Sequence, residues 1–163
     1  RSIIFSIAVL MTSAIKINSD LERMGDQAIN IAEACANMLK QEQMKIPDHI
    51  PKMSEIVRRM VRNSLKSFID KDVELAKSVL LEDDKVDNLK DMVFRELIEL
   101  MIADKGKVEW SLDLILISRH LERIGDHATN ICEDVIFMVN AQVIKHRADL
   151  KEAREKEGER SGN

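Results

Sequence analysis

Two segments of thirteen residues, placed one hundred positions apart, repeat the same acidic and amide residues. The first begins at Leu21 and reads LERMGDQAINIAE, and the second begins at Leu121 and reads LERIGDHATNICE. On a helix, the spacing Glu-x-x-x-Asp places two carboxylates one turn apart on the same face. Hard divalent or trivalent cations prefer such oxygen ligands. The candidate metal ligands are therefore Glu22, Asp26, Asn30, Glu122, Asp126 and Asn130.

A further acidic row lies between the two copies, in the segment EDDKVDNLKD. It places Asp83, Asp87 and Asp91 four residues apart. If the helix that carries this row is a neighbour of the second copy, Asp83 and Asp87 face Glu122 and Asp126 and extend the candidate site. The competing interpretation is that all these rows are water-facing stripes, whose identity remains from a gene duplication.

Two histidines distinguish the second copy from the first, and a glycine is common to both copies. His120 and His127 replace Asp20 and Gln27 of the first copy, so we expect the histidines to support the site or lie at the surface. A glycine stands in the middle of both copies, at positions 25 and 125. Glycine costs about 0.5–1 kcal/mol in a helix relative to alanine, which indicates close helix approach or space beside the backbone.

The elements that carry these residues are predicted to be helices, and the fold class is all-α. Pro47 and Pro51 end the first helix, and Asp72 is a suitable N-cap for the third. Gly106 is expected to supply a positive φ in the turn before the fourth helix. The predicted helices cover residues 2–43, 52–69, 73–103 and 108–146.

Apolar residues of the last helix alternate at spacings of three and four, as in helices that pack side by side in a bundle. They fall at positions 114, 117, 121, 124, 128, 131, 135 and 138, and the first helix repeats them one hundred positions earlier. We therefore predict a complete three-helix bundle over 45–147, preceded over 1–44 by the last helix of a similar bundle. The first helix should pack on this bundle or on another chain. The charged tail, 148–163, should be frayed or disordered.

The composition excludes several classes of function. A net charge of −4, with four Phe and one Trp, provides no basic surface with stacking rings for nucleic acid. The chain lacks a Glu-x-x-His motif, a Gly-x-Ser-x-Gly motif and a P-loop, so no enzyme is indicated. Cys35 and Cys132 are expected to be buried reduced thiols of a cytosolic protein. The apolar run at the start ends at Ile15, too short to span a bilayer.

The segments SDLERMGDQAINIAE and RHLERIGDHATNICE resemble the paired signature of the PhoU family, regulators of bacterial phosphate uptake. The segment DVELAKSVLLEDDKVDNLKDMV resembles the middle helix of the same family, and the resemblance extends to about residue 145. It implies two three-helix bundles in tandem, of which this chain holds the last helix of the first and all of the second.

The resemblance also implies a function and partners. Family members are cytoplasmic adaptors without catalytic activity, which link the ATPase subunit of a phosphate ABC transporter to a sensor histidine kinase and repress the phosphate-starvation response. Such a protein reaches the membrane only through its partners and is expected to form homo-oligomers. The Glu-x-x-x-Asp residues of the family can hold a multinuclear metal cluster, most often iron, with zinc or manganese as alternatives.

Two other interpretations stay open at this point. In the first, the chain is a purely structural helical module that oligomerises through its apolar seams. In the second, it is a PhoU-like appendage of a phosphate cotransporter. Replacing Glu122 and Asp126 by alanine separates the first of these from the adaptor, because only the adaptor would lose metal or partner binding.

Overall fold

The computed structural model describes residues 2–42 and 44–161, and four α-helices make up most of this part of the chain. The third and fourth helices are joined by a short 3-10 turn, Lys105–Lys107. No strand is present in the described ranges, so the predicted all-α class is confirmed. The helices are α1 (Ser2–Met38), α2 (His49–Asp70), α3 (Val73–Ala103) and α4 (Val108–Ser161).

The connections differ from the prediction in two places. The first helix ends at Met38, before the predicted 43, because Gln41 N–H turns back to the Met38 carbonyl at 3.1 Å. Pro51 lies inside the first turn of α2, where a missing N–H leaves no helix bond unmade. Gly106 does not adopt the expected positive φ; within the described residues Lys71 does, at φ 54°, where it caps α2.

The predicted N-cap of α3 is confirmed. The Asp72 carboxylate accepts a hydrogen bond from Leu75 N–H at 2.9 Å. This bond satisfies one of the first free backbone donors of the helix. Together with the left-handed Lys71, it reverses the chain within two residues, so α2 and α3 pack side by side.

The core lies between α2, α3 and α4. The apolar seam predicted for α4 faces it, because Leu114, Ala128, Ile131 and Met138 are 0–1% exposed. The helices α2 and α3 contribute a matching set of fully buried side chains: Met53, Met60, Val79, Val86, Val93 and Leu97. The three helices therefore form the predicted bundle.

The seam of α1 is rotated from the predicted positions. Ile17 and Met24 are buried, but Ala14, Leu21 and Ala28 are exposed. The reason is that α1 packs against α4 alone among the described helices. A helix with one neighbour buries a narrower stripe than a helix inside a bundle.

Polar pairs join α1 to α4 in an antiparallel arrangement. Asp20 pairs with His127 at 2.9 Å and Gln27 with His120 at 2.7 Å. Further pairs lie outside these two: Lys16 with Asp134 at 3.8 Å, and Asn37 with Asp113 at 2.9 Å. Positions 20 and 27 on α1 thus contact positions 127 and 120 on α4. This reciprocal pairing relates the two copies of the repeat by an approximate two-fold rotation.

The C-terminal segment is helical through Ser161, whereas the sequence predicts a frayed or disordered tail over 148–163. Lys145 pairs with Asp149 at 3.0 Å, and Lys151 with Glu155 at 3.9 Å, both at the i,i+4 spacing that supports a helix. Good helix formers follow one another here, and the first glycine comes at position 158. Residues 162 and 163 lie outside the described residues.

By length and composition, α1 is long and apolar enough to cross a membrane. Residues Ile3–Met38 include an 18-residue stretch with a mean hydropathy of 1.4, and most of this stretch is exposed. A helix that packs against a soluble bundle can be equally long and apolar. Length and hydropathy alone therefore do not distinguish a membrane-spanning helix from a bundle helix. The apolar run that ends at Ile15 is too short to span a bilayer, but α1 continues past this residue to Met38 and so has the necessary length.

Candidate functional site

Four of the predicted site residues lie together where α3 packs on α4: Asp83, Asp87, Glu122 and Asp126. We call them the carboxylate cluster. Val86 is buried between the helices, and so is Gly125 at the centre of the second copy. A Cβ atom at Gly125 would lie 3.9 Å from Asp83 Oδ1, so the glycine brings the acidic row of α3 close to the backbone of α4.

A lysine side chain borders the carboxylate cluster. Lys90 Nζ donates a hydrogen bond to Glu122 Oε1 at 2.8 Å, and the two side chains are 28% and 24% exposed. The pKa of Lys90 is raised, first by this hydrogen bond, and further by the charges of Glu122, Asp87 and Asp91. Lys90 therefore serves as a counter-ion for one end of the cluster.

Three carboxyl groups of the cluster, those of Asp83, Asp87 and Asp126, have raised pKa values. The pKa of Asp83 is raised to about 6, first by burial and then by the charges of Asp126 and Asp87. The pKa of Asp126 is also raised, by burial and by Glu122, against smaller lowering effects of His127 and Lys90. For Asp87 the causes of the raised pKa are burial and Glu122, again opposed by Lys90. The cluster therefore carries negative charge that Lys90 only partly balances.

The other predicted site residues are not in this cluster. Glu22 and Asp26 are exposed on α1 and form no ion pair within the described part of the chain; Asn30 is half-buried. Asn130 instead lies toward α1, where its Nδ2 donates to Asp20 Oδ1 at 3.4 Å. The structure thus brings together half of the predicted residues and leaves Glu22, Asp26, Asn30 and Asn130 outside the cluster.

The cluster has the right donors for a hard cation, but these donors do not form a ready-made cage. Carboxylate oxygens are the ligands that such ions take. However, within residues 2–42 and 44–161 no three His, Cys, Asp or Glu side chains are arranged so that they could hold a metal ion. Glu122, one of the central donors, is already bonded to Lys90. A metal ion would fit here only after the side chains rearrange.

Sequence reasoning missed the polar pairs between α1 and α4. Asp20 is only 7% exposed, and His127 is its partner. The pKa of His120 is lowered by burial, and further by Arg123 and Arg119. The sequence feature that could have revealed these pairs is the replacement of Asp20 and Gln27 by histidines in the second copy. In an antiparallel pair of copies, unlike residues at these positions can bond to each other.

The two cysteines have different surroundings. Burial raises the pKa of the Cys132 thiol to about 11, as expected for an inert thiol in a core. Cys35 is exposed, contrary to the expectation, because the rotated seam of α1 places Ala34 at the buried position beside it.

An apolar cavity of about 320 Å³ lies at the end of the molecule where α1 ends and α4 begins. Cys35, Met38, Ile50, Trp110 and Leu114 are among the residues that line it. None of the carboxylate cluster reaches this cavity, so the acidic site and the apolar hollow are separate features.

Comparison with known proteins provides a family. A family model described as the PhoU domain matches residues 50–135. The chain is 42% identical over 132 residues to a phosphate-specific transport system accessory protein PhoU homolog of Aquifex aeolicus, covering 81% of this chain and 60% of that protein. A homolog from Clostridium acetobutylicum is 34% identical with the same coverage.

Solved structures agree with this assignment. The crystal structure of PhoU from Pseudomonas aeruginosa superimposes with a TM-score of 0.80 at 34% identity, covering 83% of this chain and 65% of that one. The phosphate transport system regulatory protein PhoU from Streptococcus pneumoniae gives a TM-score of 0.74 at 27% identity, with 82% and 63% covered. The chain thus spans about 60% of the length of the curated relatives that it matches.

Proposed function

The chain belongs to the PhoU family, and on that premise we propose that it is a non-enzymatic regulatory accessory protein of a phosphate transport system. The observation that carries this proposal is the PhoU domain match over residues 50–135. The matched range contains nearly all of α2, all of α3 and the second copy of the motif. The names of the relatives support the link to phosphate transport.

We further propose that the protein acts in the cytoplasm as an adaptor between the ATPase subunit of the phosphate transporter and a sensor histidine kinase. An adaptor needs at least two separate surfaces. The chain has an apolar outer face on α1, where Ile3, Ile4 and Ile15 are at least 70% exposed. It also has a basic outer face on α2, where Arg58 and Arg62 are exposed.

The adaptor role is tested in cells that lack their own regulator of this type. Expression of the protein in its natural form should restore repression of phosphate-starvation genes at high phosphate. Affinity purification should recover the transporter ATPase subunit together with the kinase. Recovery of neither partner, from a protein that is folded and expressed at normal levels, would contradict the adaptor role.

We propose that the carboxylate cluster is where the protein binds metal, with iron as the first candidate and zinc or manganese as alternatives. Glu122 and Asp126 are the central ligands, and Asp83 and Asp87 complete the set from α3. When bound, the ion would supply positive charge to four carboxylates. On α1, Glu22, Asp26 and Asn30 are proposed ligands of a second site, completed by groups from outside this chain. The position of Asn130 favours a role in the contact with α1.

Elemental analysis tests the metal proposal. The natural protein, purified without chelators or a metal-affinity tag, should carry metal, and a Glu122→Ala/Asp126→Ala variant should lose the metal of the carboxylate cluster. A Glu22→Ala/Asp26→Ala variant tests the second site separately. Equal metal content in all three proteins would remove the cluster from consideration.

A second candidate function, a structural module that oligomerises, is favoured by the exposed apolar side chains of α1. Exposed apolar patches of this kind drive association. Light scattering on a protein with Ile4, Ile7 and Ile15 changed to serine would decide the point. If the variant becomes monomeric but still regulates phosphate genes, oligomerisation is not the main function.

A further inference from the structure

We propose that the apolar cavity beside Trp110 binds a small amphipathic molecule, which has a medium-length aliphatic body and an uncharged head that accepts a hydrogen bond. The body would fill the apolar cavity of about 320 Å³, and the head would reach a second, polar cavity that shares part of its wall. This site is separate from the carboxylate cluster, and its occupation does not depend on the functions proposed above.

The first support is the size and lining of the apolar cavity. Its volume lies within the range of pockets that hold small molecules in proteins. An apolar cavity of about 150 Å³ can bind benzene, so this one has room for an aliphatic chain of roughly ten carbon atoms. Apart from the Cys35 thiol, its lining consists of aliphatic, methionine and tryptophan side chains. An apolar guest that removes this lining from water is favoured by the hydrophobic effect.

The wall of the apolar cavity combines a fixed part with an exposed part. Ile50 at the start of α2, and Leu114 and Ile117 in α4, are 1–7% exposed and belong to the packed core. The end of α1 and the segment that follows it supply Leu39 and Ile46, which are 72% and 45% exposed. An aliphatic guest would rest on the fixed part and cover apolar surface of the exposed part.

The second support is an unused hydrogen-bond donor. Trp110 lines both the apolar and the polar cavity and is only 3% exposed. Among the described residues its indole N–H has no hydrogen-bond partner, although it is not sealed off in the way that His49 Nδ1 and Ser111 Oγ are. Buried tryptophan N–H groups usually find an acceptor. A ligand oxygen between the two cavities would provide one.

The third support is the character of the polar cavity, which has a volume of about 500 Å³ and shares Met44 and Trp110 with the apolar one. Glu42, Asp104 and Lys107 line it, and Lys107 Nζ already pairs with Asp104 at 3.7 Å. An anionic head would be repelled by the two carboxylates. An ammonium head has no acceptor for the indole N–H. An uncharged hydroxyl, ester or amide head satisfies both conditions.

The test uses decan-1-ol as the probe and follows the fluorescence of Trp110, the single tryptophan of the chain. Titration into the unchanged chain should give a saturable change with half-saturation below about 100 µM, a modest affinity for a ligand of this size. Decanoate, which has a similar body but a charged head, should bind at least about tenfold more weakly because of the acidic wall.

Variants locate the bound probe. Leu39→Asp puts a charge on the exposed wall of the apolar cavity and should weaken the binding of decan-1-ol by at least about tenfold. Ile69→Asp is the matched control, because Ile69 is 76% exposed at the other end of α2 and lines neither cavity. It should leave the affinity unchanged. Circular dichroism checks that both variants stay helical, and Ile46→Asp replaces Leu39→Asp if that variant folds poorly.

Two further readouts do not use fluorescence. Decan-1-ol should slow the alkylation of Cys35 by iodoacetamide, because this thiol lines the cavity, whereas Cys132 is 0% exposed. Trp110→Phe removes the N–H donor, and calorimetry should show that decan-1-ol binds about three- to tenfold more weakly. The binding of 1-chlorononane, which has a much poorer acceptor, should change less. An equal loss for both probes would overturn the role of the indole N–H.

The remaining outcomes decide the proposal as a whole. A fluorescence change that persists at the same affinity in Leu39→Asp would place decan-1-ol elsewhere and overturn the proposal. Equal affinity for decanoate would overturn the uncharged head. If the folded, unchanged chain gives no saturable response to decan-1-ol, the proposal is wrong, and an apolar side chain of a partner protein becomes the better occupant of the cavity.

Discussion

The two copies of the repeated segment share their charged residues but have different surroundings. In the second copy, Leu121 is 7% exposed and Ala128 is fully buried, because α2 and α3 cover this side of α4. In the first copy, Leu21 is 38% exposed and Ala28 is exposed, because α1 packs on α4 alone. The same residue types therefore belong to the core in the second copy and to the surface in the first.

The acidic residues show the same contrast. Burial and the charges of Glu122 and Asp87 raise the pKa of Asp126, and Lys90 supplies a counter-charge to Glu122. Glu22 and Asp26 are exposed, with no ion pair in the described ranges. The motif is therefore not sufficient to form a site. The site also requires the acidic residues of α3, which packs beside the second copy.

The largest expected effect separates the cores of the two copies. Leu121→Ala should lower the free energy of unfolding by about 2–4 kcal/mol, because it leaves a cavity in a packed interior. Leu21→Ala should lower it by less than about 1 kcal/mol, because the side chain is already partly in water. Urea unfolding of both variants measures the difference. Equal losses would mean that α1 has a further packing partner in solution.

The next effect tests the contact between the copies. Asp20→Ala should lower the free energy of unfolding by about 1–3 kcal/mol, because it leaves His127 without its partner at a shielded position. A double-mutant cycle with His127→Ala measures the coupling directly. Strictly additive losses would contradict the antiparallel pairing of positions 20 and 127.

A pH effect distinguishes the carboxylate cluster from the exposed first copy. The folded pKa of Asp83 is about 6, above the ordinary value of 3.8, so the folded protein holds this proton more tightly than the unfolded chain. Stability should therefore fall as the pH rises from about 4 through 6. Asp83→Asn should remove this loss and, since water screens much of the effect, stabilise the protein by about 1 kcal/mol or less at pH 7.5.

The control for the pH effect is Asp26→Asn, in the exposed copy. Thermal unfolding between pH 4.5 and pH 7.5 should show the same slope for this variant as for the unchanged protein. If Asp83→Asn keeps the original slope, the carboxylate cluster is not the source of the pH dependence.

The smallest expected effect concerns the two glycines. An alanine at position 25 meets no atom within 4 Å, so Gly25→Ala should stabilise the protein by about 0.5–1 kcal/mol through the helix propensity alone. At position 125 the new Cβ would lie 3.7 Å from Met60 Cε, an ordinary contact. Gly125→Ala should therefore gain a similar or smaller amount, as judged by urea unfolding. A large loss at position 125 would indicate that the space beside it is needed.

The sequence was sufficient to predict the helices of this fold and the family. Apolar spacing placed α3 within the bounds that the structure has, and Asp72 was recognisable as an N-cap because its hydrogen bond is local. The seam of α4 was predictable because three helices surround it. The seam of α1 was not, because the number of neighbours of a helix is not encoded in its own periodicity.

The site was predictable only in part. The convergence of Asp83 and Asp87 with Glu122 and Asp126 followed from spacing plus the assumption that α3 and α4 are neighbours. The role of Lys90 did not follow, because a lysine in a charged helix usually faces water and its partner depends on the register between two helices. The pairing of Asp20 with His127 depends on an antiparallel contact that no local pattern specifies.

The isolation of α1 has a mechanical consequence. Since α1 packs on α4 alone among the described helices, its packing contacts reach α2 and α3 through α4. A ligand or partner that displaced α1 would therefore act on the bundle by turning or sliding α4. Glu122 and Asp126 lie on α4, so such a movement would change their distances from Asp83 and Asp87 of α3.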